Sequence, residues 1–173
     1  MSYYSDETPL INENQSIYRF NRISLIDYCR IIMILEMLTL IWASILYWND
    51  INSISFNPYH LIIFVIYSSL ILGSIIFASI GIRKESDSYT VLSAIFSILL
   101  SFISSCLFPF VAYSLMRLSN VSLDTMELII YWNRSYNLFI FFLISIPLYI
   151  LSIITFGSLT EKFEGMKMEL TIY

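Results

Sequence analysis

Glu36 is the residue whose type and position most demand a chemical account. It stands in Ile31-Ile-Met-Ile-Leu-Glu36-Met-Leu-Thr-Leu-Ile-Trp42, an otherwise apolar run. Asp27 and Arg30, three residues apart, edge the same run and can pair on one helix face. Glu36 lies deeper, about 12 Å along a helix from Tyr28. A carboxylate at that depth is expensive and belongs in the interior of a bundle. It has three chemical uses: a packed structural acid bonded to a neighbour's hydroxyl or to Arg30, a contact for a partner membrane protein, or a proton or cation site used in transport. Transport ordinarily recruits several converging polar groups or broken helices. No second acid occurs in the other apolar runs, which ranks this use below the others.

Other chemistries are excluded by what is missing. One histidine and two separated cysteines, Cys29 and Cys106, cannot build a zinc site, so no metal and no cofactor is expected. No phosphate-binding glycine loop and no nucleophile elbow is present, and the chain has four glycines in all. No pair of acids, histidine cluster or Ser/His pair lies within the apolar runs, so no enzyme is expected. Nine Lys+Arg against a net charge of −4 leave no basic patch for nucleic acid.

The elements that would position Glu36 follow from composition. The chain of 173 residues is 58% hydrophobic and 13% charged, with mean hydropathy +0.76. Soluble domains carry about a quarter charged residues. The expected class is an all-α integral membrane protein, an up-down bundle of four transmembrane helices. A span needs about 20 apolar residues, and four segments qualify: 28–48, 61–82, 89–116 and 136–159. They form a membrane domain over 27–160, between a disordered cytosolic tail at 1–26 and a cytosolic C-terminal tail at 161–173. Residues 1–22 are polar and acidic rather than a signal peptide, so the first span is expected to act as an uncleaved anchor. Arg19, Arg22, Arg30, Arg83, Lys84, Lys162 and Lys167 fall on one side, and Arg117 and Arg134 on the other. That imbalance places both termini in the cytosol. Tyr47, Trp48, Tyr59, Tyr131, Trp132 and Tyr136 form the outer aromatic belt. Pro109 and Pro147 are expected to bend the third and fourth spans. Asp124 to Glu127 has capping-box spacing and begins a short amphipathic turn lying on the bilayer or capping the bundle.

Small residues mark the packing faces. Ser93, Ser97, Ser101 and Ser105 recur every fourth residue on the third span; Ser69 and Gly73, then Ser74 and Ala78, do so on the second. Such stripes let helices approach closely. The second and third spans are therefore expected to pack on each other within one molecule.

The clearest short motif is Asp6-Glu7-Thr8-Pro9-Leu10-Ile11. It resembles the acidic dileucine signals read by clathrin adaptor complexes, with Asp6 four positions ahead of Leu10 and Ile11. That resemblance implies an endosomal or lysosomal address. A flexible tail would offer two aliphatic side chains to an apolar slot and an acid to a basic patch. Asn120 and Asn133 head glycosylation sequons on the expected outer side, close to the bilayer. Cys29, at the inner edge of the first span, is a candidate for palmitoylation, the alternative being a plain buried thiol. The architecture is similar to that of MARVEL-type proteins and lysosome-associated four-span proteins in topology alone. The Pro-Pro-x-Tyr tail motifs of the latter group are absent, as are the cysteine patterns of tetraspanins and claudins.

The leading expectation is a non-enzymatic four-span protein of endosomal or lysosomal membranes. It would act by lateral contacts in trafficking, membrane organisation or as an accessory subunit. Its partners would be membrane lipids, clathrin adaptors bound at the tail, and other membrane proteins or further copies of itself. The alternative is a small transporter or channel subunit using Glu36. The alternative locations are the plasma membrane and the endoplasmic reticulum.

Overall fold

The computed structural model describes the backbone of residues 8–51, 58–119 and 126–171. Four helices account for it: α1 (Thr8–Ile51), α2 (Pro58–Lys84), α3 (Asp87–Ser119) and α4 (Met126–Thr171). At ~1.5 Å per residue they are about 66, 40, 50 and 69 Å long. No strand occurs among the described residues. All four contain stretches long and apolar enough to cross a membrane, at Ser24–Asn49, Tyr59–Lys84, Asp87–Ser119 and Leu128–Met166.

The helices exceed the expected spans at several ends. Residues 8–26 were expected to be disordered, yet their backbone continues α1 from Thr8. Pro9 falls in the first turn, where its missing N–H leaves nothing unmade, and no proline or glycine follows to stop the helix before residue 51. Leu128 to Trp132 form no separate surface turn: they are the opening turns of α4. The expected C-terminal tail likewise continues α4 to Thr171. Asp124 lies outside the described residues. Pro109 and Pro147 sit on exposed faces within α3 and α4, both continuous helices.

Each helix packs on its neighbours in chain order, and α4 closes the ring against α1. Neighbouring helices run in opposite directions: Ala43 of α1, Tyr67 of α2, Leu100 of α3 and Phe141 of α4 meet in one cluster, and Cys29 of α1, Ala78 of α2 and Phe156 of α4 in another. Thr39 of α1 lies level with Tyr149 of α4 and Ser74 of α2 with Ser93 of α3, while Glu36 of α1 reaches Ser97 across the bundle on α3, which runs parallel to α1. The arrangement is an up-down four-helix bundle.

A common register creates the bundle's interior. The buried residues are Cys29, Ile32, Glu36, Thr39 and Ala43 on α1, and Thr90, Ser93, Ser97, Leu100 and Ser104 on α3. Both sets alternate steps of three and four. The interior of α4 repeats the pattern through Phe142, Ser145, Tyr149, Ser152, Phe156, Leu159 and Phe163. On α2 it runs through Tyr67, Ile71, Ser74 and Ala78. A mean spacing of 3.5 keeps one seam facing the partners as helices wind around each other. The bundle is therefore packed like an antiparallel coiled coil with many polar seam positions. Outward positions are apolar: Ile34, Leu38, Ile41, Ile62, Val65, Ile76, Ile98, Phe102, Ile144, Leu151 and Ile154 are all exposed.

The tightest connection joins α2 to α3. Glu85 takes a left-handed conformation, φ 50°, and the Ser86 N–H donates to Gly81 O at 3.1 Å. This is the six-to-one bond of a helix-terminating Schellman turn. Arg83 and Lys84 complement the carboxyl end of α2, and Asp87 the amino end of α3. Gly81 is needed there: a Cβ would meet Thr90 Cγ2 at 2.7 Å and Thr90 N at 3.1 Å, whereas one at Gly157 meets nothing within 4 Å. Gly81→Ala should therefore destabilise the protein by about 1–3 kcal/mol through overpacking. Gly157→Ala should stabilise it by up to about 1 kcal/mol through helix propensity. Thermal unfolding of the two purified variants beside the parent protein measures both signs.

Candidate functional site

Glu36 occupies the centre of the seam. Among the described side chains of α1, five are buried at three- and four-residue steps, and Glu36 is the middle one, with no exposed surface. Hydroxyls from the three other helices face it. Ser97 of α3 donates to Oε1 at 3.5 Å, and Ser74 of α2 and Ser152 of α4 lie beside the same carboxyl. Oε2 has no hydrogen-bond partner among the described residues.

The serines are themselves linked. Ser74 Oγ lies 3.3 Å from Ser93 Oγ and 3.2 Å from Ser97 Oγ, and Ser93 Oγ donates to Ser74 O at 2.9 Å. Ser97 also reaches Ser93 O at 3.2 Å, and Ser152 donates to Leu148 O at 3.0 Å. A hydroxyl has one proton and two acceptor positions. These serines can thus solvate a proton or cation on Glu36 as acceptors, or a carboxylate as donors.

A second polar group follows one turn along α1. Thr39 Oγ1 donates to Glu36 O at 2.7 Å and lies 3.4 Å from the Tyr149 hydroxyl. The Tyr149 and Tyr67 rings are 6.1 Å apart edge to face, and Tyr67 Oη lies 3.0 Å from Ser104 Oγ. Ser145 Oγ, near the Tyr67 hydroxyl, is buried with no hydrogen bond of standard geometry among the described residues. Toward the α2–α3 turn, Thr160 of α4 donates to Thr90 Oγ1 at 2.9 Å. Apolar clusters flank the Glu36 layer. Cys29, Ile32, Ala78, Phe156, Leu159 and Phe163 lie on the turn side, and Ala43, Ile71, Leu100, Phe141 and Phe142 on the other.

Several expected site residues are placed by this geometry. Ser93 and Ser97 are buried against α2, as the small-residue stripe implies. Gly73 also faces α3, with Phe96 3.2 Å from where its Cβ would be. Ser101 is half-buried, whereas Ser69 and Ser105 are exposed and belong to no contact face; Ser69 donates back to Val65 O at 2.7 Å. A step of four advances about 40° around a helix, so three steps carry Ser105 about 120° away from Ser93. Ser104, one residue earlier, stays on the seam. Arg30 is not Glu36's partner: it pairs with Asp27 at 3.0 Å on the surface. Cys29 has no exposed surface, which fits the buried-thiol alternative and leaves its sulfur out of reach of an acyl donor. Asn133 is exposed on α4 and Ser135 of its sequon is buried. Asn120 and Asp6 lie outside the described residues. Leu10 and Ile11 belong to the first turns of α1.

Among the described residues, no group of three or more His, Cys, Asp or Glu could hold a metal. No family model, curated protein or solved structure matches the chain.

The Tyr67–Ser104 pair tests whether the buried hydroxyls act together. Membrane double-mutant cycles average about 0.6 kcal/mol per hydrogen bond, with a maximum near 1.7. Tyr67→Phe combined with Ser104→Ala should show a coupling energy in that range, measured by unfolding of the two single variants and the double one.

Proposed function

We propose that this chain is a four-span membrane protein that takes up a proton or a small cation at Glu36, acting as a transporter or channel subunit. The observation that carries the reading is the convergence on Glu36. Ser97 of α3 reaches a carboxyl with no exposed surface, Ser74 of α2 and Ser152 of α4 lie beside it, and one oxygen of that carboxyl has no hydrogen-bond partner among the described residues. A buried carboxylate without a cation is costly, and the neighbours here are neutral hydroxyls. Such a site is complete when a proton or cation occupies it. On composition alone this reading ranks second for want of converging polar groups; Ser74, Ser97 and Ser152 now supply them.

In proteoliposomes, the parent protein should drive a cation or proton flux that depends on a pH gradient. Glu36→Gln should reduce that flux to the protein-free baseline while keeping its elution volume and melting temperature. Equal flux from both proteins, or no flux from the parent, sinks the reading. Loss of folded yield alone assigns Glu36 to structure.

The second reading is the non-enzymatic endosomal or lysosomal protein working through lateral contacts. The tail motif Asp6, Leu10 and Ile11 favours it. The two readings are compatible, since an acidic lumen supplies the protons. A fluorescently tagged parent protein should mark acidic organelles, and a Leu10→Ala/Ile11→Ala version should move to the cell surface. Identical distributions of the two would remove the endo-lysosomal address and leave the Glu36 reading standing.

A further inference from the structure

The bundle end opposite the α2–α3 turn contains a cavity of about 240 Å³. It exceeds the roughly 150 Å³ that accommodates a benzene ring in an engineered apolar core. Ala43, Phe64, Leu107, Leu138 and Phe141 supply apolar wall, and Tyr67 lies among them. Two nitrogen-bearing side chains also line it. Arg134 Nη2 donates to His60 Nδ1 at 2.7 Å, both residues being half-buried. A guanidinium can only donate, so Nδ1 accepts, and the imidazole proton is on Nε2.

Aromatic pairs lie near this end of the bundle: Tyr47 stacks on Phe64 at 4.3 Å and Trp132 on Tyr136 at 5.4 Å. In a membrane protein, Tyr and Trp gather at the headgroup level. An apolar hole whose lining carries a guanidinium there has amphipathic chemistry. The planar fork of Arg134 matches the two oxygens of an acidic headgroup, and the wall matches a short hydrocarbon chain.

We infer that this cavity binds a single-chain amphiphile with an acidic headgroup, the head on Arg134 beside His60 and the chain running toward Tyr67. The site is independent of Glu36, and either reading can fail without the other. The acidic head can be a carboxylate or a phosphate, and the experiment separates them.

Radiolabelled decanoate, decyl phosphate and decanol would be titrated onto the full chain in phosphatidylcholine nanodiscs, with empty discs as background. At least one acid should bind saturably and about tenfold tighter than decanol, the scale of a charge-assisted hydrogen bond. The tighter acid identifies the headgroup. Arg134→Gln should abolish the lead over decanol while leaving decanol unchanged. Leu107→Trp, which fills the cavity from its wall, should weaken both acids about tenfold or more. Binding that matches empty discs, equal binding of acids and alcohol, or an unchanged acid preference in Arg134→Gln overturns the assignment. If Arg134→Gln does not fold, the acid-to-alcohol comparison on the parent protein decides alone.

Discussion

A carboxyl removed from water loses several kilocalories of solvation unless other groups replace its hydration. At Glu36 the replacement comes from three different helices, because the nearest polar side chain on α1's own buried face, Thr39, donates to the Glu36 carbonyl instead. That requirement ties the bundle together. The position on α1 sets which residue of α3 must be level with it, Ser97, and the Ser74–Ser93 and Ser74–Ser97 contacts then set the register of α2. Ser152 on α4 completes the layer. A one-residue slip of any helix turns its serine about 100° away from the carboxyl. The polar layer thus works as a register device, as single polar seam residues do in coiled coils.

The distribution of polarity is inverted relative to a soluble bundle. Ser, Thr, Tyr and Glu take many of the seam positions, among apolar ones such as Ile32, Ile71, Leu100 and Phe156, while the exposed faces carry Ile, Leu, Val and Phe. With apolar surroundings, helices gain little from hiding apolar surface against each other, and close packing and interhelical hydrogen bonds replace that drive. Small seam residues serve both needs at once. Ser93 lets α2 and α3 approach closely enough for its hydroxyl to reach the Ser74 carbonyl at 2.9 Å. The large side chains sit at the ends of the polar layer instead. Phe156 and Phe163 close one side, and Phe141 and Phe142 the other.

The four helices were legible because a long apolar run has one structural solution. Glu36's inward orientation was legible for a similar reason, as lipid offers a carboxyl nothing. The seam was also written in the residues. Cys29, Ile32, Glu36, Thr39 and Ala43 show the three-four alternation, but hydrophobicity cannot reveal it in a helix that is apolar all round. Serine spacing alone misled at Ser105 and Ser69, since a strict step of four rotates off a straight seam. Ser152 and Tyr149 were hidden because only tertiary packing tells which α4 residues are level with Glu36. The helical backbone of 8–26, and the merging of 128–132 into α4 through Asn133-Arg134-Ser135, depended on helix propagation across polar stretches that suggested breaks.

The partners of Glu36 are far from it in the chain. Ser97 follows by 61 residues, and Ser152 comes later still. At synthesis rates of about 5–20 residues per second, Ser97 emerges roughly 3–12 s after Glu36. On the membrane reading, α1 therefore enters with an acid whose neighbours arrive one helix at a time: Ser74 with α2, Ser97 with α3 and Ser152 with α4. Its lasting place in lipid would then depend on the later helices, and a nascent chain cut short before Ser74 would hold the acid without any of the three hydroxyls.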